Sequence, residues 1–455
     1  MNFWGSSNNE ETNQELEDSQ EEVNVIKRRQ RRATMMPGHA LIDSLYNNYN
    51  IFFDTLELGD AEAGCDYILL LRALCHNTTV RYVQIGSNFL SKFNPEEIRI
   101  LLEVIGGMPK LESLKINCVP EMVLPAKAVA NVLQRAPNLK ELHFFDLELA
   151  GDEYEMEALG ESLEALTSLK KVSFNQLGLE QAVEDGQGAV SPHQIVSGLS
   201  NLPQLEEVVL TSRRKFEWDD DSLGGLCESK TLKRLSLKNM DLSLSQVSSI
   251  AETLSTNTAL LYLKLSDCGF DMEGWRSVAS ILPENTTLLH LDLSQCQTLD
   301  DDGCFIIGSC MEGNTALKIL QLHNDESSEV SSKGISSLSR MLETNKTLET
   351  LEVSFTSSDD SGYKAIAEAL QRNTTLKNLY LENHGKQVST NGIVSLGYVL
   401  ERTNKSLEQL AMMFDGSDNN GVLAMAKVMD DTSPAALKQF TFNRKKYIRS
   451  YEGQS

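Results

Sequence analysis

The sequence predicts an α/β solenoid in which strand and helix alternate along nearly the whole chain, and three observations predict it. The first is a strand phrase, L-x-x-L-x-L, clearest as Leu260-Leu261-Tyr262-Leu263-Lys264-Leu265. It begins again at Val80, Leu111, Leu139, Leu169, Leu205, Leu232, Leu288, Leu317, Leu348, Leu376, Leu407 and Leu437. The thirteen copies are spaced by 31, 28, 30, 36, 27, 28, 28, 29, 31, 28, 31 and 30 residues. Self-similarity at such a period marks units that bury their apolar faces only against their neighbours. The second is an i, i+3, i+4, i+7 apolar stripe upstream of the phrase, which is one face of an amphipathic helix. It reads Val247, Ile250, Ala251, Leu254; then Trp275, Val278, Ala279, Leu282; Ile335, Leu338, Ser339, Leu342; Tyr363, Ile366, Ala367, Leu370; and Val422, Met425, Ala426, Met429. The third is spacing. From the last stripe position to the next strand is six residues in eleven copies, the exceptions being Leu400 to Leu407 and Met429 to Leu437. Helix-to-strand geometry is therefore fixed, and length varies on the strand-to-helix side.

A phrase and helix of this kind, in a unit of about 28 residues, resemble the ribonuclease-inhibitor-like class of leucine-rich repeat proteins. The resemblance implies a right-handed α/β horseshoe of about 13 repeats, with a parallel sheet on the concave face and helices on the convex face. It implies no single function, since inhibitors, sensor domains of receptors and GTPase activators share the scaffold.

Taken in order, residues 1–36 carry no apolar period. Glu10, Glu11, Glu15, Glu17, Asp18, Glu21 and Glu22 run into Lys27, Arg28, Arg29, Arg31 and Arg32, the pattern of a solvated tail. The basic run also fits a nuclear-import signal, and R-R-x-T ending at Thr34 fits a site for a basophilic kinase. Residues 37–79 read as an N-terminal capping repeat, with the fold beginning near Ile51. Thr55-Leu56-Glu57-Leu58 is its strand, and Tyr67, Leu70, Leu71, Leu74 its helix stripe. Such closure keeps the open end of a solenoid from exposing core. Residues 80–443 form the repeat array. Phe440-Thr441-Phe442 is the last strand, and 444–455 is a short basic tail expected to be mobile.

Two stretches break the period. The 36-residue spacing after Leu169 places an enlarged Gly, Glu and Asp-rich loop at 175–191. After the next strand comes Arg213-Arg214-Lys215-Phe216-Glu217-Trp218, followed by three aspartates. Insertions in such arrays gather on one rim, often the binding rim; the plain alternative is that Phe216 and Trp218 fold back as core.

The eight cysteines form no C-x-x-C pair and no zinc-like spacing. Cys268 and Cys296 each fall eight residues after the strand anchor, which reads as a structural column at the turn. Cys304 opens a helix stripe and reads as core. Five N-x-[ST] sequons begin at Asn77, Asn285, Asn345, Asn373 and Asn404. Each sits just past a helix, where a left-handed Asn cap is expected, so they read as a by-product of the repeat and not as glycosylation sites.

Composition narrows the function. A formal net charge of -24 disfavours nucleic acid and anionic membrane surfaces as partners. No apolar run reaches the ~18 residues of a membrane span, and the N-terminus lacks a basic region followed by an apolar run. The expected compartment is the cytoplasm, with the nucleus open through the basic run.

Within the strands, positions two, four and six after the anchor face away from the core. They hold the cations Lys115, Lys171, Arg234, Lys238 and Lys264 against the acids Glu141, Glu207, Asp292, Glu352 and Glu382. Arg234, Lys238, Tyr262 and Lys264 cluster mid-array beside Arg213, Arg214 and Lys215 on the rim. Tyr, Trp and Arg dominate the energetics of protein interfaces. A docking site for an acidic protein surface is therefore expected there, with an ordinary solvated mixed-charge face as the plain alternative.

No residue set suggests catalysis, a cofactor or a metal. Seven histidines occur, none in a nucleophile motif or a metal spacing, and no glycine-rich phosphate loop is present. The best enzyme-linked alternative is stimulation of a partner. The scaffold also resembles the Ran GTPase-activating protein family, in which recurring Asn occupy the turns after the strands and one supplies a catalytic contact. Here that position, eight after the anchor, holds Asn only at Asn88. A sensor repeat domain of the NOD-like receptor kind is the second alternative. The expectation is thus a monomeric, non-catalytic protein-binding scaffold, with a small GTPase as the alternative partner.

Overall fold

The structure is a computed structural model that describes residues 38–48, 54–59, 66–119, 122–179, 192–213, 222–269, 271–296, 299–324, 329–356, 359–385, 390–414, 425–426, 428, 436–442 and 445–448. Thr34 and the rest of 1–36, Arg214, Lys215, Phe216 and Trp218, and residues 180–191 of the enlarged loop lie outside them. The chain divides into two compact units, Met1–Asn175 with Leu179–Gln181, and Gln176–Gly178 with Ala182–Ser455.

In the first unit a helix, Gly38–Tyr46, precedes β1 (Thr55–Leu58), β2 (Tyr82–Ile85), β3 (Ser113–Asn117), β5 (Glu141–Phe145) and the start of β7 (Lys171–Leu179). These pair in parallel, β1 to β2, β2 to β3, β3 to β5 and β5 to β7. The fold therefore begins before Ile51, since Leu41 and Leu45 of the first helix are already buried. Two short strands not foreseen in the sequence, β4 (Val123–Pro125) and β6 (Glu148–Ala150), pair beyond the turns that end β3 and β5.

In the second unit β8 (Glu207–Ser212), β9 (Arg234–Lys238), β10 (Tyr262–Ser266), β11 (His290–Asp292), β12 (Ile319–Leu322), β13 (Thr350–Phe355), β14 (Asn378–Asn383), β15 (Gln409–Phe414) and β16 (Gln439–Phe442) pair in parallel, each with the next. The sheet is open and alternates with helices. Lys445–Ile448, expected as mobile tail, instead forms β17 antiparallel to β16. An added antiparallel strand occupies backbone groups that an edge strand would leave unpaired.

All thirteen anchors are buried, and every repeat strand begins two residues after its anchor. Burying such a side chain contributes about 1.5–3 kcal/mol, which is why the register is strict. Four of the five quoted helix stripes are buried throughout. The last differs: Met425 and Val428 are buried while Ala426 is exposed, so this turn presents a different side to the core, and Val422 and Met429 lie outside the described residues.

The turns correct a second expectation. The Asn residues beyond the helices are extended, with φ/ψ of -76/130 at Asn77, -70/132 at Asn257 and -66/131 at Asn345. Left-handed backbone falls instead seven after the anchor, at Asp146, Gln176, Asn239, Asp267 and Gln295, with φ between 56 and 64. Asp146, Asn239 and Asp267 directly follow β5, β9 and β10, where the chain turns out of the strand and Asn and Asp tolerate that conformation well, whereas Gln176 lies within β7.

Candidate functional site

The sheet face opposite the helices carries Arg234, Lys238, Tyr262 and Lys264. Arg234, in β9, lies directly across from Tyr262 in β10. Its guanidinium sits 4.0 Å above the Tyr262 ring, a cation–π contact, and its Nε is 3.6 Å from Glu207 Oε1 in β8. On its other side the Tyr262 ring meets His290 edge-on at 4.4 Å. His290 Nε2 and Gln321 Oε1 are 2.7 Å apart, and Gln321 lies directly across from Glu352 in β13. One line of contacts thus crosses from β8 to β13.

Beside it, Lys264 is ion-paired with Asp292 directly opposite in β11. Burial opposes the Lys264 charge, yet Asp292 outweighs it and holds the ammonium above its ordinary range. Asp292 is only 3% exposed, so Lys264 belongs to the architecture of the face and has little charge to offer a partner. Lys238 differs. Its cross-strand neighbours are Thr211 and Ser266, and no carboxylate reaches ion-pair distance among the described residues. Arg213 follows β8, and its backbone N–H donates to Leu177 O at 2.9 Å.

The face changes sign along its length. Glu352, Asp292 and Glu382 gather in β11 to β14; burial first, then Asp292, pushes the Glu352 carboxyl up. Several positions expected to be open are covered, including Ser354 at 0% and Thr350 at 3%, because long neighbours in adjacent strands shade short side chains.

His323 Nδ1 lies 2.8 Å from Ser354 Oγ and 3.0 Å from Glu382 Oε2. The composition is that of a nucleophile–base–acid triad, but both partners address one ring nitrogen. A proton relay needs the serine on one nitrogen and the carboxylate on the other. Ser354 is also buried, so this is a hydrogen-bonded brace.

Asn88, the one turn position that holds the Asn of the GTPase-activator pattern, lies in the short helix Ser87–Leu90, where Phe89 and Leu90 are core and its carbonyl accepts from Ser91 Oγ at 2.9 Å. Among the described residues no group of three or more Asp, Glu, His or Cys side chains could hold a metal ion, and no helix is long and apolar enough to cross a membrane. The cysteine column is as expected: buried Cys268 and Cys296 place Sγ 3.8 Å and 3.1 Å from the carbonyls of Leu237 and Leu265 in the preceding copies.

Sequence reasoning placed Arg234, Lys238, Tyr262 and Lys264 on one face, and the structure brings them together. It missed His290, Gln321 and Glu352 as the continuation of the Arg234 line. Their signal was present in the sequence, since all occupy positions two or four after an anchor.

A family model described as a leucine-rich repeat matches residues 284–306. That stretch spans Asn285, β11, Cys296 and the opening of the helix Asp301–Met311. No curated protein matches the chain. The matched stretch, and the strand–helix units before and after it, fit a leucine-rich repeat protein.

Proposed function

We propose that this repeat array is a non-catalytic scaffold that binds an acidic protein surface through β8 to β10, with Arg234, Tyr262 and Lys238 as the central contacts and Arg213, Arg214, Lys215, Phe216 and Trp218 as the rim. Leucine-rich repeats generally mediate protein–protein interaction, and the helices of 9–13 residues from Leu244 onward support the ribonuclease-inhibitor-like reading. The observation that carries the proposal is the Arg234 guanidinium stacked on Tyr262. The ring pre-orders the cation while half of its side chain remains exposed, at 51%, so less entropy is lost when a carboxylate binds.

The test is affinity capture with the wild-type chain and with Arg234→Glu/Lys238→Glu, leaving Lys264 in place because Asp292 depends on it. A partner with an acidic surface that is held by wild type and lost from the variant, with the variant's circular dichroism unchanged, is the expected result. Equal retention by both would overturn the assignment of this face.

A further inference from the structure

The first unit has its own break in charge pairing. Lys115 in β3 lies directly across from His143 in β5, and Asn117 across from Phe145. On the far side of β5, Glu141 faces Lys171 and His143 faces Ser173. All of these side chains occupy the sheet face opposite the helices. Lys171 Nζ is 3.4 Å from Glu141 Oε1, and Ser113 Oγ donates to Glu141 Oε2 at 3.3 Å, so that carboxylate is already satisfied. Lys115 has no carboxylate at ion-pair distance among the described residues. His143 makes no hydrogen bond to any of them. Phe145, two residues further along the same strand from His143, is 38% exposed.

The charge arithmetic is local and simple: two lysines, Lys115 and Lys171, stand against one glutamate, Glu141, on a chain of net charge -24. Burial first, and Lys115 second, push the His143 imidazole down to about 4. At neutral pH it is therefore uncharged, with one N–H to donate. Burial works against the Glu141 carboxylate, yet Lys171 and Lys115 outweigh it and hold it below its usual range. The spot is short of negative charge.

We propose that Lys115, His143 and Phe145 form a second docking point, for the carboxylate of an Asp or Glu side chain next to an apolar residue on a protein partner. The Lys115 ammonium pairs with the carboxylate, the imidazole N–H of His143 donates to it, and the apolar neighbour covers the Phe145 ring. Adjacent strands lie ~4.8 Å apart, so one carboxylate can reach Lys115 and His143 together.

The experiment uses the full chain labelled with 15N-histidine, with the His143 imidazole signals identified through His143→Gln. The probes are the capped peptide acetyl-Gly-Glu-Phe-Glu-Gly-amide and its neutral counterpart with Gln in place of Glu. The acidic peptide is expected to shift the His143 signals and raise its titration midpoint, because a bound carboxylate favours the imidazolium; the neutral peptide should do neither. Lys115→Ala should weaken the acidic peptide about tenfold, while Lys127→Ala, on the exposed side of a helix, should leave it unchanged. In the absence of peptide, Lys115→Ala should itself raise the His143 midpoint.

No response of His143 to millimolar acidic peptide, an equal response to the neutral peptide, or unchanged affinity in Lys115→Ala would each overturn the proposal. Inorganic phosphate producing the same shift at lower concentration would overturn the carboxylate assignment in favour of a phosphate site. Arg234→Glu should leave all of these readings unaltered, so this inference stands or falls apart from the site in the second unit.

Discussion

Asn345 shows how a single side chain closes a repeat. Its Oδ1 accepts from the backbone N–H of Thr347 and Leu348 at 2.9 and 2.8 Å, and its Nδ2 donates to Met311 O at the end of the preceding helix at 2.8 Å. Asn285, Asn373 and Asn404 repeat the arrangement, reaching Leu254 O, Leu342 O and Leu370 O. The helix leaves its last carbonyls without partners, and the next unit's asparagine supplies one. Asn345→Ala should therefore destabilise by about 1–3 kcal/mol, the cost of leaving buried polar groups unpaired, read as a lower urea midpoint. A midpoint within error of wild type would refute the role. The recurrence of this Asn was plain in the sequence through the sequons. Its geometry was not, because an extended side-chain cap and a left-handed backbone cap use the same residue type at the same place. At 1% to 5% exposure, these sequon asparagines are closed to glycan attachment in the folded chain.

Strand register decides which cations have an acid directly across from them. Parallel, in-register pairing sets each position of one copy against the same position of the next, and opposite charges placed that way attract. Glu141 meets Lys171, Glu207 meets Arg234 and Lys264 meets Asp292 on this rule. Lys115 and Lys238 meet no acid on either side; their neighbours are Gln84 and His143, and Thr211 and Ser266. Counting charges face by face, as the sequence invites, treats all five cations alike. Aligning copies column by column separates the paired from the spare, and that alignment needs only the anchors. The rule predicts that Lys264→Met, which strands a nearly buried Asp292, costs about 3 kcal/mol, followed by tryptophan fluorescence because Trp275 is fully buried in the same unit. Lys264→Met/Asp292→Leu should recover most of the loss. A double variant as weak as the single would show that the pair is held for something other than mutual compensation.

Across the whole molecule, the formal charge of -24 and the histidines act in opposite directions as pH falls. Protonating carboxylates relieves self-repulsion, but ordinary Asp and Glu take up protons mainly below pH 5. Between pH 7 and 5.5 the histidines dominate. His143 is pushed down to about 4 by burial and by Lys115, and His290 is lowered chiefly by burial. In that window the unfolded chain binds protons at these sites and the folded chain does not, so stability falls with pH, the loss starting near 6.5 and complete for His143 near 4. Glu352 has the reverse sign: its raised carboxyl takes a proton in the folded state first, which favours folding as pH falls toward its ordinary range. With two histidines against one carboxyl, the urea midpoint followed by circular dichroism should drop from pH 7 to 5.5. His143→Gln should flatten part of that drop, because glutamine does not titrate. A midpoint that rises on acidification would mean that relief of net charge outweighs the buried imidazoles. A drop that His143→Gln leaves intact would place the cost on histidines other than this one.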